Sequence, residues 1–234
     1  MRIVDLSRDL YHRTPSYPGQ PPIIHGVWKT HAEARAENNG VHGNSVMFFS
    51  MPDHGGTHID APRHFAADGA SLGEIPLADL IVPLAVIDLR DKAAASPDAA
   101  VEPADIARWE RRHGRLPPGC CVAMLSGIDP LTAYPALFGG AGRPPRGPGF
   151  SPAAVEMLLG ARSVKGIAVD GLSIDPGPAI PAYPVHRRWL RSGRWAIEAM
   201  ANLAALPPHG AILIVGAPPL ADATGLPIRA VALF

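Results

Sequence analysis

The chain has 234 residues, of which 47% are hydrophobic and 18% charged, a balance that excludes the highly charged, weakly hydrophobic class of disordered proteins. Lys and Arg together number 21, as do Asp and Glu, so no excess of charge favours nucleic acid or an anionic membrane. Without a signal-peptide pattern or a transmembrane-length apolar run, we expect a single cytoplasmic domain over residues 1–234 that binds a small molecule.

Six short segments rich in Val, Ile and Leu predict β-strands along the chain. They are RIVDLS (2–7), LIVPLAVIDLR (80–90), CCVAMLSGI (120–128), VKGIAVDGLSI (164–174), GAILIVGAPP (210–219) and IRAVALF (228–234). Strands mixed with a few helices predict an α/β domain, and their order does not require a doubly wound sheet.

Helices are predicted where apolar residues recur every three or four positions. EPADIARWERRHG (102–114) and SPAAVEMLLGAR (151–162) each have a proline just inside the start and a glycine near the end. A third helix is predicted from Arg194 to Leu206. Residues 14–22 and 138–152 are rich in Pro and Gly and predict long surface loops, because proline removes a backbone donor and fixes φ.

Covalent catalysis by cysteine or serine has little support in the sequence. Cys120 and Cys121 are adjacent and fit neither a disulfide framework nor a cysteine-rich zinc motif, so we expect both to be buried. Ser126 and Ser173 lack the surroundings of a nucleophile elbow.

The stretch MPDHGGTHIDAPRHF (51–65) concentrates residues that bind metals. His54, His58, Asp60 and His64 offer nitrogen and oxygen donors that suit Zn²⁺ or Mn²⁺. Two glycines and a proline oppose a helix here, so we predict a turn followed by a short strand, on which His58 and Asp60 face the same way. A single histidine more often bonds to a turn, but four donors together favour a metal.

Further ligands must come from elsewhere in the chain. His186 is a candidate, against the alternative of an exposed loop residue. Glu198 lies among apolar residues, where burial without a partner is costly, although a solvent-facing helix position is the alternative. Asp170 and Asp175 either orient such ligands or form turns.

The stretch HGGTHIDAPRHF (54–65) resembles the His-x-Gly-Thr-His-x-Asp-x-Pro-x-His-Phe signature of the cyclase-like metal hydrolase family, which contains bacterial kynurenine formamidase and isatin hydrolase. YPGQPP (17–22), residues 149–175 and AIEAMANL (196–203) are similar to other segments of this family. The resemblance implies a swivelling β/β/α cyclase-like domain with a mixed central sheet, and a homodimer or homotetramer.

The resemblance also implies a site with two divalent metal ions, Zn²⁺ before Mn²⁺. His54, His58 and Asp60 would hold one ion, Asp60 would bridge to a second held by His186, and Glu198 would touch both. His64 resembles the family's catalytic histidine, and Tyr17 stands where formamidases have a substrate-facing tryptophan.

Such a centre lowers the pKa of bound water and provides hydroxide at neutral pH, while a histidine titrating near neutrality moves a proton to the leaving nitrogen. We therefore expect hydrolysis of an amide C–N bond, first in an N-formyl arylamine such as N-formylkynurenine. A cyclic amide like isatin or another small carbonyl compound is the alternative. A lyase or cyclase, or a non-catalytic metal-stabilised binding protein, represents another class.

The expected pocket walls depart from the formamidase pattern. Residues 23–53 resemble an insertion, and residues 138–149 are rich in Gly and Pro. Trp28, Phe48 and Phe49 could stack on a substrate ring, but we expect them to pack in the core.

Overall fold

A nine-stranded mixed sheet forms the centre of the computed structural model, which describes residues 1–133 and 145–234. Across these residues the strands are β1 (Ile3–Asp5), β2 (Ile24–Lys29), β3 (Val46–Ser50), β4 (His58–Asp60), β5 (Ile81–Asp88), β6 (Ala100–Val101), β7 (Cys121–Leu125), β8 (Gly149–Phe150), β9 (Gly166–Val169), β10 (Trp195–Glu198), β11 (Ala211–Gly216), β12 (Gly225–Pro227) and β13 (Arg229–Leu233). The helices are α1 (His31–Glu37), α2 (Arg90–Ala95), α3 (Pro103–His113), α4 (Pro152–Ala161) and α5 (Pro184–Leu190).

The strand order of the central sheet is β1-β13-β11-β5-β7-β9-β10-β4-β12. The four strands β5, β7, β9 and β10 run parallel to their neighbours in that group, while the strands on both sides of the group pair antiparallel. The predicted α/β fold with a mixed central sheet is confirmed, and each of the six predicted strand segments contains a strand.

Both faces of the sheet are buried. Successive residues of β5 alternate between two hydrophobic clusters, Ala85 and Ile87 in one and Leu84 and Val86 in the other. This alternation follows from the two-residue period of a strand. The first cluster includes residues of α2 to α5, and the second includes Leu6 and several residues of the short 3₁₀ segments. The site-bearing strands are therefore held rigidly between two packed layers.

The predicted helix from Arg194 to Leu206 is wrong. Trp195 to Glu198 form strand β10, and only Leu203 to Ala205 make a short 3₁₀ turn. Ala199 and Asn202 have left-handed backbone angles, with φ of 55° at both, which ends regular structure between the two. By composition alone, a short apolar run fits either a strand or a helix. Here the segment forms a strand because it pairs with β9 on one side and with β4 on the other. The helices predicted at 102–114 and 151–162 are confirmed.

The hairpin of β2 and β3 is separate from the central sheet. These two strands pair only with each other among the described residues. Trp28 and Phe49, at 73% and 70% exposed, and Phe48 lie at the surface, so the expected packing of these rings in the core is wrong. None of these three rings lines the cavity beside His58 and Asp60, so within one chain they do not stack on a ligand bound there.

The loop predicted at residues 14–22 contains no helix or strand, as expected. The loop predicted at 138–152 lies partly outside the described residues, and its last part is regular, because β8 and the start of α4 fall within it. None of the helices in the described ranges combines the length and apolar character needed to cross a membrane.

Candidate metal-dependent active site

Pairing between β4 and β10 places carboxylates and an imidazole side by side. Glu198 lies directly opposite His58, and Asp60 lies opposite Ala196. Because side chains two apart on a strand share a face, His58, Asp60 and Glu198 point to one side of the sheet. The Nε2 of His58 is 3.3 Å from Oδ1 of Asp60 and 3.5 Å from Oε2 of Glu198. The predicted turn and short strand around these residues are confirmed.

His54 reaches the same point from the turn before β4. Its Nδ1 lies 2.7 Å from Oδ1 of Asp60. Gly56 permits the turn with a φ of +61°. On the neighbouring strand β12, a Cβ on Gly225 would lie 2.6 Å from Cε1 of His54 and 2.5 Å from the Ile59 carbonyl oxygen. A glycine at this position therefore makes room for the His54 ring.

His186 approaches from helix α5 on the opposite side of Asp60. Its Nε2 lies 3.1 Å from Oε1 of Glu198 and 3.6 Å from Oδ2 of Asp60. The buried Asp175 fixes this ring by accepting hydrogen bonds from His186 Nδ1 at 2.6 Å and from the backbone N–H groups of Val185 and His186. Asp175 thus orients a donor residue and also satisfies the first backbone donors of α5.

All five predicted ligands come together in two groups that share Asp60. His54, His58 and Asp60 form one group, and Asp60, His186 and Glu198 form the other, with the donor atoms of each group within 4.8 Å of one another. Oδ2 of Asp60 is buried and accepts no hydrogen bond in the described part of the chain. A buried carboxylate oxygen without a partner costs about 1–3 kcal/mol or more, and a cation held between the groups would remove that cost. The donor set therefore fits divalent metal.

The electrostatics of the site reflect this crowding of donors. Burial acts to lower the pKa of His58, but the hydrogen bond and charge of Asp60 and the charge of Glu198 outweigh it and raise that pKa to about 9. Burial also acts to lower the pKa of His186. Hydrogen bonds to Asp175, Asp60 and Glu198 outweigh burial and raise this pKa well above its ordinary value. For Asp60, burial is outweighed by three histidine partners, which hold its pKa well below the ordinary value. Both histidines hold protons where a cation could bind instead.

His64 follows the ligand strand in a 3₁₀ turn and stacks on His54 with ring centroids 3.8 Å apart. Burial lowers the pKa of His64 to about 4; the charge of Asp60 opposes this shift, and the charges of the neighbouring histidines add to it. The ring is therefore neutral at pH 7 and able to accept a proton. This differs from the expected titration near neutrality, because a desolvated imidazole among cationic neighbours resists protonation.

A cavity of about 220 Å³ opens onto the two donor groups. Besides the ligands, its walls carry Tyr17 and Gln20 from the loop at 14–22, and Phe65, Leu172 and Tyr183 from elsewhere. The hydroxyl groups of Tyr17 and Tyr183 are 2.8 Å apart. Burial, and then the hydrogen bond with Tyr17, raises the pKa of Tyr183, which keeps its hydroxyl protonated. Tyr17 thus lines the cavity, and its contact with a substrate stays a prediction.

Comparison with known proteins places the chain in a family. The family model Cyclase, described as "Putative cyclase", matches residues 4–176. The chain belongs to this cyclase family. Isatin hydrolase from Roseibium aggregatum is 35% identical over 192 residues, which cover 78% of this chain and 72% of that relative.

Two solved structures of cyclase-like enzymes superpose closely. Isatin hydrolase A from Labrenzia aggregata, bound to benzyl benzoate, has a TM-score of 0.86 and 28% identity, with 99% of this chain and 93% of the other covered. Isatin hydrolase A from Ralstonia solanacearum has a TM-score of 0.86 and 29% identity, with coverage of 99% and 91%. These comparisons support a metal-dependent hydrolase that acts on an amide bond.

The cyclase-family site also contains residues that the sequence did not single out. His54 Nε2 contacts Thr224 Oγ1 at 2.9 Å, and Thr224 donates to Asp53, so this chain of contacts holds the His54 ring. Tyr183 and Phe65 pack against His186 with ring centroids 5.5 Å and 5.0 Å away. No local pattern signals Thr224 or Tyr183, because Thr224 is far in sequence from His54, and Tyr183 is far in sequence from Tyr17 and Phe65.

The structure distinguishes the two roles predicted for Asp170 and Asp175, which were to orient a ligand or to form a turn. Asp175 orients the predicted ligand His186. Asp170 instead accepts hydrogen bonds from the backbone and hydroxyl of Ser126 and from the backbone of Gly127, away from the candidate metal donors. His186 and Glu198 are only 4% and 7% exposed, which excludes the exposed alternatives. Cys120 and Cys121 are fully buried, as expected, and burial raises the pKa of Cys120 to about 12.

Proposed function

We propose that this chain hydrolyses the amide C–N bond of a small aromatic amide, first a cyclic amide of the isatin type and second an N-formyl arylamine. The observation that carries the proposal is the pair of buried donor groups sharing Asp60 on the wall of a cavity with aromatic walls. The sequence alone placed the formyl arylamine first. The relatives that hydrolyse isatin reverse this order, because they match this chain over nearly its whole length.

We also propose two divalent cations, zinc or manganese, one at each donor group. When bound, such cations polarise a carbonyl oxygen and lower the pKa of water. The carboxylates of Asp60 and Glu198 would hold both cations, since each carboxylate has one oxygen near His186 and the other near His58. Each histidine keeps its second nitrogen engaged, as with His58 Nδ1 on the Gly56 carbonyl at 3.0 Å, which fixes the donor nitrogen.

His64 is the proton carrier in this proposal. It is neutral at pH 7, lines the cavity and lies against His54, so it can accept the proton released when water attacks the carbonyl carbon. The ring nitrogen of His64 that accepted this proton then donates it to the departing amine nitrogen. Phe65 and Leu172 provide apolar walls that limit the access of bulk water to the reacting groups.

Metal analysis and assays in labelled water test the proposal. The metal-loaded protein is expected to hydrolyse isatin or formanilide, to lose turnover with a chelator, and to place one oxygen of ¹⁸O-water in the acid product. His64→Ala should retain the metal and lose at least about 100-fold in kcat, while the exposed His42→Ala should change nothing. Substrate consumption without label would instead identify a lyase or cyclase, and bound metal without any turnover would identify a binding protein.

We further propose that the chain forms a homo-oligomer through the β2–β3 hairpin. An isolated two-stranded hairpin is marginally stable in water, and this one exposes Val27, Trp28, Met47, Phe48 and Phe49. Clustered exposed aromatic groups of this kind indicate an interaction surface. A second copy is the occupant we propose, in a dimer or tetramer.

A further inference from the structure

Two tyrosine hydroxyls meet on the wall of the metal cavity. Tyr17 lies in the loop at 14–22 and Tyr183 lies just before α5, yet their hydroxyl oxygens are 2.8 Å apart. A tyrosine hydroxyl has one proton to donate and also accepts, so a pair uses one proton in its mutual bond and retains another. Within residues 1–133 and 145–234, the Tyr183 hydroxyl has no hydrogen-bond partner besides Tyr17. When Tyr17 donates in the mutual bond, the Tyr183 proton is therefore available to a ligand in the cavity.

The surroundings of Tyr183 hold its ring in place beside one donor group. The ring packs edge-on against His186 and Phe65, with centroids 5.5 Å and 5.7 Å away. Its backbone has φ 48° and ψ 51°, a left-handed conformation that is uncommon for an aromatic residue. Its N–H donates to the Ala179 carbonyl, and its own carbonyl accepts from Arg187. The hydroxyl is thus positioned by both packing and backbone hydrogen bonds.

Gln20 adds an independent observation on the same wall. This residue lines the cavity from the same loop as Tyr17. Its side-chain oxygen is closed off from solvent and accepts no hydrogen bond from the described residues. Polar groups that remain unmatched by the protein, next to a cavity, are typical of a surface that a polar ligand completes.

We propose that the Tyr17–Tyr183 hydroxyl pair is a specificity-determining site that binds a second oxygen atom of the substrate, adjacent to the scissile carbonyl. Tyr183 donates to this oxygen, and Tyr17 orients the Tyr183 hydroxyl. This inference rests on the proposed function, in which the scissile carbonyl lies at the Asp60-centred donor groups and needs no tyrosine. The favoured substrates are then amides with a neighbouring carbonyl, because a simple amide leaves the Tyr183 proton without an acceptor.

Binding of two stable acids to the metal-loaded protein tests the inference. The acids are 2-aminophenylglyoxylate, the hydrolysis product of isatin, and 2-aminophenylacetate, which lacks the keto oxygen. By calorimetry, we expect the wild-type protein to bind the glyoxylate at least about tenfold more tightly. Tyr183→Phe should reduce this preference to within about twofold while leaving the Kd of the acetate and the metal content unchanged, and Tyr17→Phe should reduce it in part.

Tyr11→Phe is the matched control, because Tyr11 is 49% exposed and is not among the residues lining the cavity. This variant should keep the full preference. Equal affinities of the wild-type protein for both acids, or an unchanged preference in Tyr183→Phe, would overturn the inference. Equal weakening of both acids in Tyr183→Phe would also overturn it, since the pair would then only hold the loop. Failure to hydrolyse isatin, with the preference intact, counts against the proposed function alone.

Discussion

The β4–β10 ladder and the β2–β3 hairpin invert the ordinary distribution of residues in opposite ways. In the ladder, His58, Asp60 and Glu198 are at most 7% exposed, although charged and polar side chains usually face solvent. In the hairpin, Trp28 and Phe49 are mostly exposed, although aromatic side chains are usually inside. We propose that each inversion marks a place where the single chain is chemically incomplete. In this proposal, cations complete the ladder and a second copy of the chain completes the hairpin.

The two regions also differ in how firmly the fold holds them. The ladder lies inside the nine-stranded sheet, between β9 and β12, and its His58 lies 3.3 Å from Asp60 and 3.5 Å from Glu198. Within residues 1–133 and 145–234, the strands of the hairpin pair only with each other. A site that performs chemistry needs donors fixed within a few tenths of an ångström, whereas an association surface needs apolar area.

The largest effect is expected from Glu198→Gln, which keeps the shape of the side chain and removes the charge facing both donor groups. Activity and metal affinity should each fall by more than about 100-fold, beyond the loss typical of groups that only orient ligands. Metal content after gel filtration and kcat/KM measure this. Glu156→Gln is the control, because Glu156 is exposed and forms an ion pair with Arg188, away from the donor groups. Full metal retention in Glu198→Gln would mean that the buried ladder has a structural role only.

Asp175→Asn is expected to have the next effect. The amide cannot accept from His186 Nδ1 as strongly as the carboxylate, so the His186 ring loses its fixed orientation, and metal affinity should fall about 10- to 100-fold. Metal titration monitored by competition with a chelating dye measures this. Asp170→Asn, a buried acid bonded to Ser126 instead, should retain wild-type metal affinity. The same loss in both variants would show that general destabilisation, and not His186 orientation, is responsible.

The pH dependence of metal binding tests whether His58 in the ladder exchanges its proton for a cation. His58 must lose its proton to bind a cation, and its pKa is about 9 in the folded protein against 6.5 in the unfolded chain. Metal affinity should therefore rise up to about tenfold per pH unit as pH approaches 9. In chelated protein the contribution of His58 has the opposite trend, because a raised folded pKa stabilises below pH 6.5 and is lost as pH rises through 9.

Thermal unfolding at several pH values, with and without metal, measures this divergence. The gap in Tm between loaded and chelated protein should widen from pH 6.5 to pH 9. A constant gap over this range would show that His58 does not exchange its proton for the cation.

The smallest effect on the folded chain is expected in the hairpin. Replacing Trp28 and Phe49 with Ser should change the free energy of unfolding by within about 0.5 kcal/mol per site, since neither ring is buried. Self-association should nevertheless be lost, as measured by sedimentation velocity. Leu77→Ser, an apolar residue 72% exposed outside the hairpin, should leave association unchanged. An unaltered oligomer in the double variant would contradict the role of the hairpin.

Much of the site could be predicted because its donors are unusual in their local setting. His54, His58 and Asp60 lie within one short stretch where glycines and a proline exclude a helix, and the strand period sets which of them share a face. The position of Glu198 was anticipated for the wrong local reason, as part of a helix, when it lies on a strand. Its chemistry, a carboxylate among apolar residues, was the more robust signal.

The sequence by itself determined the α/β class and the positions of six strands and two helices, and it singled out the candidate metal donors, because periodicity and residue chemistry are local properties. Only the tertiary structure decided that residues 195–198 are a strand, since their backbone pairs with β4 on one side and β9 on the other. It also decided that Tyr17 meets Tyr183 across 166 positions, and that the rings of Trp28 and Phe49 remain outside. These outcomes depend on long-range packing, which leaves no trace in the spacing of neighbouring residues.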